Sequence, residues 1–123
     1  GLGGSSLGAL ISLFTVMKRP EIFGRLLLES PSLQISQRRV LKDSRFFGRW
    51  PEKIFLAMGT RESGREDKDR QFVKDVRELE RVLRRSGLDD QRLRVRIDEG
   101  ATHSEGEWAR RFPGALTFLF GSG

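Results

Sequence analysis

Ser6, His103 and a carboxylate lying between them in the chain are the residues of this sequence whose types together could do nucleophilic chemistry. A serine hydroxyl is a weak nucleophile until a neighbouring base takes its proton, and an imidazole base needs a carboxylate to fix its tautomer and stabilise the imidazolium. Ser6 sits in Gly4-Ser5-Ser6-Leu7-Gly8, the Gly-Xaa-Ser-Xaa-Gly spacing of a sharp strand-to-helix turn that presents a serine nucleophile. Small residues are needed there because the turn is tight and the next helix must approach closely; Gly4, Gly8 and Ala9 leave that room. The same five residues also read as a flexible glycine-rich terminus, so the weight falls on what stands elsewhere in the chain.

His103 is the only histidine. A lone histidine is more often structural or solvated than catalytic, but this one follows the small-residue loop Asp98 to Thr102 at the end of a predicted strand, from which it can swing toward the C-terminal edge of a sheet. The acids in strand-end loops are Glu62, Glu66, Asp67, Asp98 and Glu99. Glu66 and Asp67 are accounted for by the start of a helix, and Asp98 and Glu99 stand too close to His103 in sequence to reach it from the far side. Glu62 remains, giving the chain order serine, acid, histidine.

The elements that must hold these groups are legible from periodicity. Leu7 to Lys18 is apolar on nearly every side, which reads as a buried helix stopped by Pro20. Arg25 to Leu28 gives a short strand running into the turn Glu29-Ser30-Pro31-Ser32. Gln34 to Gly48 is polar and basic, a loop with room for a helix, and Trp50 leads into a strand and reads as core. Lys53 to Met58 is an unbroken apolar run, the pattern of a strand covered on both faces in a parallel sheet. Asp67 to Ser86 carries Phe72, Val76, Leu79 and Leu83 on one helical face and ends at Gly87. In Leu93 to Ile97, apolar residues alternate with Arg92, Arg94 and Arg96, which predicts an edge strand guarded by charge rather than a phosphate site. From Ser104 to Phe120 a last amphipathic helix places Trp108, Phe112, Leu116 and Phe120 four residues apart, with Pro113 expected to bend or restart it. No strand is expected before the serine turn. This alternation predicts an α/β protein with parallel strands.

Composition narrows the classes further. At 123 residues the chain holds one domain. The absence of cysteine removes disulfides, thiolate metal sites and thiol catalysis, and favours a cytoplasmic location. No apolar run reaches membrane-spanning length. The net charge of +6 comes from arginines spread through the chain, with aromatic residues in apolar patterns and not between them, so no nucleic-acid partner is expected.

Taken together, Gly4-Ser5-Ser6-Leu7-Gly8-Ala9-Leu10, Phe23-Gly24 leading to Ser30-Pro31-Ser32, Gly59-Thr60-Arg61-Glu62, and Glu99-Gly100-Ala101-Thr102-His103-Ser104 with Trp108 resemble the esterase D-like group of α/β hydrolases. That group includes enterochelin and trilactone siderophore esterases, feruloyl esterases and, more distantly, mycolyltransferase antigens. The resemblance covers nearly the whole chain. It implies the C-terminal part of an α/β-hydrolase fold, residues 1–123 forming a partial esterase domain that begins at the nucleophile turn, with the N-terminal strands of the sheet missing. It implies Ser6 as nucleophile and His103 as base, and puts Glu62 where the mycolyltransferases have their catalytic glutamate, although other relatives use aspartate or a serine and histidine pair. Leu7, next after the nucleophile, would lend its amide to the oxyanion hole. The loop that normally gives the second oxyanion donor is absent, so activity is expected of the full-length parent and little from this chain alone.

The expected function is a serine carboxylic ester hydrolase acting on a small-molecule ester, without cofactor or metal. Acyl transfer to an alcohol is the alternative within the same fold, because the acceptor site and not the catalytic residues separates it from hydrolysis. A non-catalytic remnant or binding module is the alternative outside enzymes.

Overall fold

Four short strands pair side by side in parallel, in the spatial order of the chain: β1 (Leu2–Ser5), β2 (Arg25–Glu29), β3 (Lys53–Gly59) and β4 (Leu93–Asp98). Parallel neighbours need crossover segments, and α1 (Leu7–Lys18), α2 (Ile35–Ser44) and α3 (Glu66–Arg85) supply them, while α4 (Glu105–Phe120) follows β4. The computed structural model describes residues 1–121, the side chains of residues 36 and 37 excepted. The architecture is the α/β class with parallel strands that the alternation predicts.

Strand alternation sorts the side chains onto two faces. Leu26, Leu28, Ile54, Leu56 and Leu93 point to one, where they join Leu13 and Val16 of α1 and Val76, Leu79 and Leu83 of α3 in the main core. Leu27, Phe55 and Ala57 point to the other, against Ala115, Phe118 and Leu119 of α4. β3, the unbroken apolar run, lies inside the sheet with both faces covered, whereas β4 stands at an edge. The arginines in and just before β4 are used within the fold. Arg92 donates to the carbonyls of Pro51 and Glu52, Arg94 lies over the Phe118 ring, and Arg96 pairs with Asp98. Trp50 is core, as its approach to a strand suggested, and takes the Phe47 ring edge-on at 4.7 Å between centroids.

Three sequence expectations are corrected. A strand does precede the serine turn: Leu2–Ser5 pairs in register with Leu26–Glu29. Its two glycines give no apolar pattern to read, and the backbone pairing to β2 supplies the order instead. The helix from Leu7 is not buried all round, because Leu7, Ile11 and Phe14 form a stripe turned away from the sheet and are 51%, 56% and 45% exposed. Periodicity reports which residues are apolar, not what covers them. Finally, of the bend or restart expected at Pro113, the restart does not occur: α4 continues through it as one element. The proline removes a single amide donor, and the Thr117 hydroxyl donates back to the Pro113 carbonyl at 3.0 Å one turn later. No helix of the described residues is long and apolar enough to cross a membrane.

Candidate active site

The turn between β1 and α1 is built on a close approach of backbone to backbone. A Cβ on Gly4 would stand 2.6 Å from the Gly8 carbonyl carbon and 2.7 Å from its oxygen, both of them main-chain atoms that cannot step aside. Gly4→Ala in the full-length protein is therefore expected to push strand and helix apart, costing about 1–3 kcal/mol of stability. Esterase activity should fall more steeply than the melting temperature. Thermal denaturation read beside kcat checks this, and an alanine variant with native activity would mean that the turn has slack.

Ser6 itself takes φ 56° and ψ −120°, a strained conformation for a residue with a side chain. Three main-chain hydrogen bonds hold it there. Its N–H donates to the Glu29 carbonyl at 2.8 Å, and its own carbonyl accepts from Leu10 at 3.2 Å and from Ser32 at 3.3 Å. The consequence is a hydroxyl presented at the start of α1, whose first amide, that of Leu7, has no acceptor within the helix and stands at the positive end of the helix dipole.

Glu62 and His103 reach this hydroxyl from two loops that are laced together. A Cβ on Gly59 would collide with the Ala101 carbonyl, so glycine there lets the chain leaving β3 lie directly against the loop after β4. Arg61 N–H donates to the Ala101 carbonyl at 3.0 Å, and Gly100 N–H to the Thr60 hydroxyl at 2.7 Å. Glu62 is folded back over its own strand end: Oε2 accepts the Gly59 N–H at 3.0 Å, and Oε1 lies 2.7 Å from His103 Nδ1. The other ring nitrogen, Nε2, is 2.9 Å from Ser6 Oγ. A carboxylate only accepts, so Nδ1 carries the proton of the neutral ring and Nε2 is left to accept from the serine. The Glu62 side chain is 3% exposed and that of His103 37%, which places the acid beneath and the base at the mouth.

The structure thus brings together all three side chains singled out in the sequence and sets Leu7 beside them. Trp108 completes the support. Its ring meets the imidazole edge-on at 4.9 Å between centroids, and its Nε1–H donates to Ser30 Oγ at 3.0 Å, tying α4 to the end of β2. Ser32 Oγ approaches Ser6 Oγ to 3.3 Å. The cleft in front of these groups, about 240 Å³, is walled by Ser30, Ser32, Gln34, Met58, Ser63 and Phe72. A larger apolar hollow of about 650 Å³ runs along β1 and α4 and includes none of Ser6, Glu62 and His103.

Two further charged residues escape a sequence reading. Glu29 ends β2 and is 4% exposed, and Arg111 of α4 is 1% exposed. Arg111 Nε lies 3.0 Å from Glu29 Oε2 and its Nη1 lies 2.9 Å from Asp98 Oδ2. Burial pushes the Glu29 carboxyl from its ordinary 4.5 up to about 7, against the pull of Arg111. Burial acts on Asp98 in the same sense, yet hydrogen bonds from Arg96 and Arg111 hold it below the usual range. The available signal was spacing: Arg111 stands four residues before Ala115 and eight before Leu119, on the buried stripe of α4.

Known proteins share this fold. The chain superimposes on the siderophore hydrolase EstB of Aspergillus nidulans with a TM-score of 0.75 at 21% identity, over 96% of this chain and 48% of that one. It matches the enterobactin esterase FES of Shigella flexneri with a TM-score of 0.70 at 20% identity, over 94% and 29% of the two chains. For the BES protein of Bacillus cereus the TM-score is 0.67 at 22% identity, over 97% and 44%. Among curated sequences, the uncharacterized protein YbbA of Bacillus subtilis (strain 168) is 28% identical over 123 residues, and the chain spans 49% of its length. The profile of one family, described as "Putative esterase", matches residues 1–119, nearly the whole chain, and the protein belongs to that esterase family.

Proposed function

We propose that the full-length protein is a serine carboxylic ester hydrolase working through an acyl-enzyme on Ser6. The observation that carries this reading is the unbroken hydrogen-bonded chain from Ser6 Oγ to His103 Nε2 at 2.9 Å and from His103 Nδ1 to Glu62 at 2.7 Å. His103 takes the proton of Ser6 as Oγ attacks the ester carbonyl, and Glu62 steadies the imidazolium that results. The tetrahedral oxyanion lies against the Leu7 amide at the positive end of α1. As the carbonyl re-forms, His103 hands its proton to the departing alcohol, leaving the acyl group on Ser6. Water then enters, gives a proton to His103, and attacks the acyl carbon. Return of that proton to Ser6 Oγ releases the acid and restores the enzyme. The cleft takes small-molecule esters, and the names carried by EstB and FES make siderophore esters the first to try.

A fluorophosphonate probe tests the nucleophile directly, since it traps an activated serine as a stable adduct. Labelling of the full-length protein should give one adduct, located by peptide mass spectrometry on the segment containing Ser6, and should disappear with the ester-hydrolysing activity in Ser6→Ala. Ester hydrolysis that proceeds with no adduct on Ser6 would sink this mechanism.

A further inference from the structure

The buried guanidinium of Arg111 has no role in the proton path from Ser6 to Glu62, yet its two carboxylate partners end the strands from which the site is hung. Glu29 closes β2, and its main-chain carbonyl is the acceptor of the Ser6 N–H at 2.8 Å. Asp98 closes β4, and its carbonyl accepts from Thr60 at 3.0 Å, in the loop that bears Glu62, and from Ala101 at 3.2 Å, in the loop that bears His103. The register explains how one side chain spans the gap. Glu29 pairs with Ala57, and Gly59, two residues on, pairs with Asp98, so the two carboxylates share the face covered by α4 with only a methyl group between their strands.

We propose that Arg111 is a positioning residue, a clamp across the sheet that fixes the distance between the serine turn and the two loops carrying Glu62 and His103. This rests on the reading of Ser6, Glu62 and His103 as the site. Stability alone is a poor account of the arrangement. Both carboxylate oxygens of Glu29, and Nε and Nη2 of Arg111, are buried without a hydrogen-bond partner among the described residues, so their 3.0 Å contact is an ion pair without a hydrogen bond, and a buried pair of that quality can be replaced by apolar groups at little cost or some gain. What an apolar replacement cannot do is hold two carboxylates at a set separation. The chemistry needs such a setting, since a displacement of about 1 Å in a reacting group can cost about a hundredfold in rate. Asp98 keeps a second partner in Arg96, at 2.7 Å, so removing Arg111 does not leave that carboxylate bare.

The test is Arg111→Met, Arg111→Lys and the double variant Glu29→Gln with Arg111→Met, made in the full-length protein and measured for kcat, KM and melting temperature on one ester. Positioning predicts that Arg111→Met lowers kcat about ten- to a hundredfold with KM within about twofold. Arg111→Lys, which can reach one carboxylate but not both, should fall between. The double variant, freed of both buried charges, should melt no lower than the native protein and still show the depressed kcat. Native kcat in Arg111→Met overturns the proposal, and so does recovery of kcat together with melting temperature in the double variant, because charge balance would then suffice. A double variant that does not fold also counts against it, since the clamp would then be needed for the fold itself. Ser6→Ala run alongside separates the two readings: activity surviving that change refutes the site, whereas its loss with unchanged Arg111 variants refutes only the clamp.

Discussion

Replacing Ser6 or His103 by alanine in the full-length protein should each lower kcat by about a millionfold, and replacing both should lower it no further. The expectation follows from the geometry of a shared proton. Ser6 Oγ is useful only while His103 Nε2, 2.9 Å away, can take its hydrogen, and His103 has no reacting atom to serve once Oγ is gone. The second deletion therefore removes something the first has already disabled. Residual turnover would come from what neither change touches, the Leu7 amide and the cleft. Folding should survive Ser6→Ala, because among the described residues the hydroxyl hydrogen-bonds only to the His103 ring and the Ser32 hydroxyl, whereas the main-chain bonds that hold the turn stay in place. Initial rates on an activated ester, beside melting temperatures of the three variants, check both parts. Independent, multiplying losses would mean that the serine and the histidine do not act as a unit.

How much of this could be read before the fold was known differs from element to element. β3 and α3 were legible because their neighbours impose a simple rule. A strand covered on both faces reads as the run from Ile54 to Met58, and a helix lying on a sheet repeats its apolar residues as Phe72, Val76, Leu79 and Leu83 do. β1 was not legible, because Gly3 and Gly4 carry no side chains and the strand exists through its pairing with β2. The outward stripe of α1 was missed for the opposite reason, since Leu7, Ile11 and Phe14 have the chemistry of core residues without its surroundings.

Within the site, Glu62 and His103 could be picked out because each stands at a predicted strand end, and a parallel sheet gathers such ends on one edge, whereas Ser6 shows only through its Gly-Xaa-Ser-Xaa-Gly spacing. What the chain order could not convey is the lacing. Nothing in Gly59 or Ala101 as letters says that their backbones touch, or that the Glu62 carboxylate spends one oxygen on its own strand. Chain order sets Asp98 aside as partner of His103 for want of reach alone; its engagement with Arg96 and Arg111 appears only in three dimensions. Glu29 was read as part of a turn because a charged residue at the end of an apolar strand ordinarily is one.

Glu62→Gln is the more searching change, because it keeps the size of the side chain and alters only what its two ends can do. Oε2 of Glu62 accepts from the Gly59 N–H at 3.0 Å while Oε1 accepts from His103 Nδ1 at 2.7 Å, and a carboxylate can serve both donors at once. An amide has one oxygen. With that oxygen on Gly59, a main-chain donor that needs an acceptor, the NH₂ group faces the ring and Nδ1 must accept. The ring proton then moves to Nε2, where it points at Ser6 and closes the lone pair that should receive the serine proton. With the oxygen on the ring instead, the NH₂ group confronts the Gly59 N–H, donor against donor. Either arrangement is unproductive, and kcat should fall by about ten-thousandfold with little change in KM, as expected when geometry is kept and the tautomer is wrong. Glu62→Asp should also lose activity, since the shorter side chain cannot span both donors, but it retains a carboxylate and should keep more of the rate than the amide does. Rates for the two variants on the same ester decide the matter. Activity within about tenfold of native in Glu62→Gln would mean that the serine and histidine pair suffices and that the carboxylate serves the loop rather than the ring.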